Sequence, residues 1–166
     1  VLFRSYDPSG FSQLVRMQRE HFWYQGRHAV LLSALHRVLE RACSSASNIP
    51  IVDGSSLKNA RKAIDLGGGC GGWIEYLHQH AADLYPELAL ADSSLDGLRL
   101  AAPVVEPFAQ RYHVDLAKLH WRDHWDAAFL LDVIEHLDDD VSALRQAALA
   151  VRPGGWGMGS GPALQF

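Results

Sequence analysis

The sequence carries only two cysteines, Cys43 and Cys70, in 166 residues. Two thiols do not make a disulfide framework, and Cys70 lies inside a glycine run where a bridge would obstruct a ligand. Reduced thiols are the expectation, and they fit a cytoplasmic protein. No apolar run approaches the ~18 residues that a membrane span requires. The N-terminal stretch VLFRSYDPSG lacks a basic region followed by an apolar one, so it does not read as a signal peptide. Positive charge is scarce: 15 Lys and Arg face 19 Asp and Glu, for a formal net charge of −4. The cations form no stripe, which argues against nucleic acid and leaves a small molecule as the expected partner. Repeats are absent too. The chain starts on Val1 and stops at GPALQF without a polar tail or helix cap, so a fragment of a longer protein is expected.

What is present suits a globular domain with a real core: 48% of residues are hydrophobic and 20% charged. Residues 1–10 read as a loop, with Asp7-Pro8-Ser9-Gly10 as a turn. The next thirty or so residues read as helix, with Val30, Leu31, Ala34, Leu35, Val38 and Leu39 as an apolar stripe and Gly26 as a break between two pieces. Residues 44–56 form a polar connector. Beyond it, strands and helices alternate. Strands are expected at Lys62–Leu66, Leu88–Ala91, His113–Val114, Asp126–Leu131 and Trp156–Gly159, the last entered by a turn at Pro153-Gly154-Gly155. Helices are expected at Gly71–Leu84, Ser94–Ala102 and Asp138–Val151. That alternation predicts an α/β fold with a Rossmann-like, doubly wound, mostly parallel sheet. Residues 1–56 would be a helical cap and 57–166 the ligand-binding domain. Ligands in such sheets sit at the carboxyl ends of the strands, where the strand order reverses.

The stretch AIDLGGGCGGW has five glycines in six residues, between an apolar strand and a helical pattern of Trp73, Ile74, Tyr76 and Leu77. Gly67, Gly69 and Gly72 satisfy the dinucleotide fingerprint. Gly67, Gly69 and Gly71 also satisfy acidic-x-G-x-G-x-G, led by Asp65. Both patterns let a ligand approach the backbone and aim a helix N-terminus at it. They differ in charge logic. A carboxylate beside a pyrophosphate is unhelpful, whereas S-adenosylmethionine carries a sulfonium and an ammonium. Asp92, at the tip of the second strand, can accept both hydroxyls of a ribose, in either cofactor. Its alternative role is to cap the next helix, which Ser93 or Ser94 could also do. Asp115 could take an adenine amino group, with the Leu116 backbone N–H serving a ring nitrogen; an exposed loop aspartate is the competing reading.

In their order and intervals, AIDLGGGCGG, LADSS, LLDVIEHLDDD and VRPGG resemble the class I S-adenosylmethionine-dependent methyltransferases over about residues 60–155. The resemblance is to the small-molecule members, and EHFWYQGR is similar to the helical segment before the sheet in some bacterial ones. It implies S-adenosyl-L-methionine as cofactor and methyl transfer as the reaction. Asp65, Gly67, Gly69 and Gly71 would surround the methionine part, Asp92 the ribose, and Asp115 and Leu116 the adenine. Leu131 and Asp132 would line the pocket after the fourth strand. Arg27 would reach the methionine carboxylate or form a surface salt bridge. The family sheet has seven strands, and the last two are not expected in this chain.

Asp132, Glu135 and His136 stand at i, i+3 and i+4, so they are expected on one helix face. Three roles are open: orientation of the loop by hydrogen bonds, His136 as general base on a substrate hydroxyl, or a partial metal site. No further ligand at a clear spacing accompanies them, and no metal is assigned. Asp138-Asp139-Asp140 reads as a helix start. The other histidines, His28 among them, read as surface or half-buried. Phe22, Trp23 and Tyr24 would cover the pocket or pack a helix on the sheet; Trp121 and Trp125 would anchor a loop. Two competing classes remain: an NAD(P)-dependent oxidoreductase, resting on the literal fingerprint, and a non-catalytic or truncated methyltransferase.

Overall fold

The computed structural model describes residues 8–45 and 61–161, with side chains described for 13–41 and 61–161. Residues 1–7 and most of the expected connector at 44–56 lie outside the described residues, as does the side chain of Cys43. The chain opens with α1 (Pro8–Glu20) and α2 (Phe22–Ser45). Of the turn expected at residues 7–10, Pro8, Ser9 and Gly10 are the start of a helix, and Asp7 lies outside the described residues. Pro8 suits that position, because its missing N–H would have had no intrahelical partner. The break between the helices falls at His21, not Gly26, which lies inside α2 with open space where a Cβ would be. The inward face of α2 is also shifted. Leu35 is fully buried and Leu31, Leu32 and Leu39 pack beside it, while Val30 and Val38 face solvent.

The rest is a five-stranded parallel sheet in the order β3-β2-β1-β4-β5. Its strands are β1 (Lys62–Leu66), β2 (Glu87–Asp92), β3 (Ala109–His113), β4 (Trp125–Leu131) and β5 (Val151–Ser160). Between them run α3 (Gly72–Ala81), α4 (Leu95–Val105) and α5 (Asp140–Ala150), with short 3₁₀ turns at Leu116–Lys118 and Ile134–His136. The central strands are buried on both faces, so they read as apolar runs. One core packs Leu35, Trp73, Ile74, Leu77 and Phe129 on the α2–α3 side. The other packs Ile64, Leu66, Leu130, Val133, Ala143 and Ala147 on the α5 side. The order reverses between β1 and β4, which sets the switch point beside the glycine run.

Three more expectations needed correction. The third strand is AQRYH, earlier than the expected His113–Val114. It is an edge strand whose polar side chains hide its signal: Arg111 donates to the Leu98 carbonyl at 2.6 Å and pairs with Glu106. The fifth strand is ten residues long and includes the supposed turn. Trp125 pairs with Val151 but Ala127 with Trp156, so Arg152–Gly155 bulge out of the ladder, with Gly154 at φ 83°. Gly157 and Gly159 continue the strand because Trp156 and Met158 on the other face pack against the core. The helix expected at Asp138–Val151 starts later, with Asp139 as its N-cap accepting from the Ser142 N–H at 2.9 Å. Among the described residues no helix is long and apolar enough to cross a membrane.

Candidate cofactor site at the switch point

The glycine run has the geometry that glycine alone permits. Gly67, Gly69 and Gly71 have φ of 81°, 55° and 79°, all in the left-handed region. A Cβ on Gly67 would stand 2.7 Å from the Val133 methyls, and one on Gly71 would stand 2.9 Å from Val105 Cγ1. A Cβ on Gly69 would meet nothing within 4 Å. Gly67 and Gly71 are thus pressed against the protein, and Gly69 borders open space. The loop then runs into α3, whose first N–H groups point back toward it.

Asp65 lies directly beneath this loop. It is 2% exposed, and its Oδ1 has no hydrogen-bond partner. A side chain at Gly68 would collide with its Oδ2. Burial, and then the nearby Asp92 carboxylate, push the Asp65 pKa up to about 7, while Arg27 pulls the other way. A buried acceptor left unpaired costs free energy, so this oxygen is a place where a donor or a cation would be stabilised. Cys70, in the same loop, is buried, and burial followed by Asp92 raises its pKa to about 11.

Asp92 ties the loop to the tip of β2. Its Oδ2 accepts from the Gly69 N–H at 2.7 Å and its Oδ1 from the Ser94 N–H at 2.6 Å. Burial raises its pKa, and the N–H donors of Ser94, Gly69 and Ser93 oppose the rise. Capping of α4 falls to Ser94, whose hydroxyl accepts from the Gly97 N–H at 3.2 Å. With those three donors placed, the Asp92 carboxylate keeps acceptor capacity for a further donor. Asp115 caps the turn at Leu116–Lys118: its Oδ1 accepts from the Ala117 N–H at 3.0 Å. Lys118 sits 3.1 Å from its other oxygen and is the main reason its pKa is lowered. Leu116 is buried against the second core.

The segment after β4 departs from expectation. Asp132 has φ 56° and lies outside the 3₁₀ turn, so Asp132, Glu135 and His136 do not share a helix face. Asp132 turns instead toward α2 and β5. Its Oδ2 is 2.7 Å from Arg27 Nη2, and its Oδ1 accepts from the Ser160 hydroxyl at 3.1 Å. Glu135 and His136 are exposed, and among the described residues no side-chain hydrogen bond orients the His136 ring. No cluster of three His, Cys, Asp or Glu suited to a metal occurs among the described residues. Leu131 is half-buried at the end of β4.

Two residues carry more weight than the sequence suggested. Arg27 is no surface side chain: it is 18% exposed and reaches the carboxyl ends of both β4 and β5. His28, read as surface or half-buried, is 2% exposed, packed among Trp73, Tyr76 and Tyr24. Burial, and then Arg27, lower its pKa to about 4. Arg-His with Leu31 and Leu35 to follow at helical spacing was the available signal. Phe22 and Trp23 are exposed and cover no core, whereas Trp125 is buried with Trp121 against it at 5.5 Å.

A parallel doubly wound sheet, a glycine loop at its switch point and acidic side chains at the tips of β1 and β2 define a Rossmann-like cofactor-binding domain. The methyltransferase-domain family matches residues 19–165, and the chain belongs to that family. It is 31% identical over 100 residues to a ubiquinone biosynthesis O-methyltransferase of Hydrogenovibrio crunogenus, a match spanning 53% of this chain and 38% of that protein. The fold is shared with an S-adenosyl-L-methionine-dependent methyltransferase structure from Methanococcus maripaludis. That pair has a TM-score of 0.62 and 15% identity, over 97% of this chain and 66% of the other. It is also shared with the N-methyltransferase NodS of Bradyrhizobium japonicum, solved with S-adenosyl-L-homocysteine. There the TM-score is 0.58 and the identity 16%, over 83% and 61% of the two chains. The chain spans 38% of the length of the curated relative it matches.

Proposed function

We propose that this chain binds S-adenosyl-L-methionine and serves transfer of its methyl group to a small-molecule acceptor. The observation that carries the reading is the buried Asp65 carboxylate under the glycine loop, with one oxygen unpaired. That donor set suits a cationic ligand and disfavours a pyrophosphate, so it weighs against the dinucleotide reading. Gly67, Gly69 and Gly71 would border the methionine part, and Gly69 offers the open side. Asp92 would accept from the ribose with its remaining acceptor capacity. Asp115 and Leu116 would bound the adenine, and Leu131 and Asp132 the wall after β4. When bound, the cofactor supplies a methyl group on a sulfonium that is already a good leaving group. The protein's part is then to hold donor and acceptor in line and keep water out. His136 is the proposed base where the acceptor is a hydroxyl. A net charge of −4 favours a small acceptor over nucleic acid. The O-methyltransferase relative makes hydroxyl compounds the first acceptors to try.

Titration calorimetry with S-adenosyl-L-homocysteine and with NADH tests the reading. One site for S-adenosyl-L-homocysteine and none for NADH is expected. Binding of NADH alone would overturn it.

A further inference from the structure

The glycine loop covers Asp65 and directs its N–H groups to other acceptors. Gly67 and Gly68 donate to the Ala91 carbonyl at 2.7 and 3.3 Å. Gly69 donates to Asp92 Oδ2 at 2.7 Å, and Gly71 to the Gly68 carbonyl at 2.9 Å. Asp65 Oδ1 is left buried with no donor. The space beside Oδ2 is closed as well, since a Cβ on Gly68 would stand 2.2 Å from it. The charged groups that act on this carboxyl come from the elements around it. β2 brings Asp92, a like charge, and His113 of β3 acts on Asp92 in turn. α2 brings Arg27, whose guanidinium is engaged by other acceptors, 2.7 Å from Asp132 Oδ2 and 2.8 Å from the Ser160 hydroxyl. Cys70 in the loop is a neutral thiol, its pKa raised to about 11. A carboxyl so enclosed, with a second carboxylate close by, is more stable neutral than charged. Burial and then Asp92 accordingly push its pKa up to about 7.

We propose that Asp65 makes the site selective for a cationic ligand by exchange: the ligand-free loop keeps a proton on Asp65, and a bound cation takes its place. The proton leaves the carboxyl for solvent, and the ligand's positive charge balances the carboxylate that remains. Direct contact is not required. An opposite charge within ~4–6 Å favours the ionised form, and the 2% exposure of Asp65 leaves little water to screen it. Gly69, where a Cβ would meet nothing within 4 Å, is the open side from which a cation acts. A neutral ligand of the same shape gains nothing from Asp65. Protons compete with the cation, so affinity falls as the pH drops below the Asp65 pKa. The identity of the ligand rests on the function proposed above. S-adenosyl-L-methionine and S-adenosyl-L-homocysteine both carry an ammonium; 5′-methylthioadenosine has neither an ammonium nor a sulfonium.

Titration calorimetry at pH 6 in cacodylate and in Bis-Tris, whose ionisation enthalpies differ, counts the protons exchanged. The ligand's ammonium is fully charged at that pH and contributes none. S-adenosyl-L-homocysteine is expected to release about one proton on binding. Its affinity should rise on the order of tenfold from pH 5.5 to pH 7, while that of 5′-methylthioadenosine stays within about twofold. Asp65→Asn cannot ionise, so it should bind S-adenosyl-L-homocysteine with no proton release and equal affinity at both pH values. The Asp65 carboxyl carbon, followed by NMR in the wild type at pH 6, should move from its protonated to its ionised position when S-adenosyl-L-homocysteine is added. That readout needs no variant. Binding of S-adenosyl-L-homocysteine without proton release would overturn the exchange and leave the functional reading intact. So would an equal release in Asp65→Asn, which would assign the proton to Asp92 or His113, and so would an equal pH dependence for 5′-methylthioadenosine. Failure of the wild type to bind S-adenosyl-L-homocysteine at all would overturn both.

Discussion

Two buried groups titrate in opposite senses, and replacing one should unmask the other. Asp65 has its native pKa raised from 3.8 to about 7. Between those values the unfolded chain gives up the proton and the native chain keeps it, so stability falls as pH rises. The loss is complete above about pH 7 and amounts to ~4 kcal/mol, at ~1.4 kcal/mol per unit of pKa. His28 has its native pKa lowered from 6.5 to about 4. In the same window the unfolded chain holds a proton that the native chain does not, so its contribution to stability grows with pH. The full shift corresponds to ~3 kcal/mol, and since the ring borders an open cleft beside Gln25 and Glu75, about half of it should be realised. Asp65→Asn abolishes the first slope and leaves the second. The variant should gain ~1–2 kcal/mol from pH 4.5 to pH 7 relative to its own value at pH 4.5, where the parent loses stability from these two groups together. At pH 8 it should exceed the parent by ~2 kcal/mol, the rest being spent on hydrogen-bonding the buried amide. Urea unfolding at pH 4.5, 6, 7 and 8 for both proteins reads this directly. Parallel pH profiles, or a variant less stable than the parent at pH 8, would refute the reasoning. The same variant should lose S-adenosyl-L-homocysteine affinity by at least tenfold, so the site trades stability for a charge.

Other perturbations separate structural from ligand roles. His28→Phe should remove the one contribution of these that rises with pH, so stability falls more steeply than in the parent from pH 4 to pH 7 in the same urea series. Gly71→Ala meets Val105 Cγ1 at 2.9 Å at a φ of 79° and should cost ~2–4 kcal/mol, read as a lower thermal midpoint. Gly69→Ala has open space and only its φ of 55° to overcome, so it should cost ~1–2 kcal/mol while weakening S-adenosyl-L-homocysteine binding more than tenfold by calorimetry. Asp92→Ala leaves the Gly69 and Ser94 N–H groups without their acceptor and should cost ~2–3 kcal/mol, together with the loss of measurable binding.

The alternation of apolar strands with helical patterns was legible in the chain itself, and so were the fold class, the position of the glycine loop and the residues at the tips of β1 and β2. Those features rest on local rules: burial on both faces makes a continuous apolar strand, and only glycine tolerates the left-handed angles at Gly67, Gly69 and Gly71. Edges were less legible, because β3 exposes polar side chains and β5 interrupts its ladder with a bulge. Tertiary structure alone decided the rest. Arg27 and Ser160 are 133 residues apart, and nothing local says that they meet Asp132. At Asp132 a left-handed turn, which separates it from Glu135 and His136, goes with contacts to Arg27 and Ser160 that come from distant parts of the chain. The charge state of Asp65 is likewise no property of its neighbours in sequence. It follows from enclosure by the loop above it and from a second carboxylate delivered by β2, and both depend on how the sheet is wound.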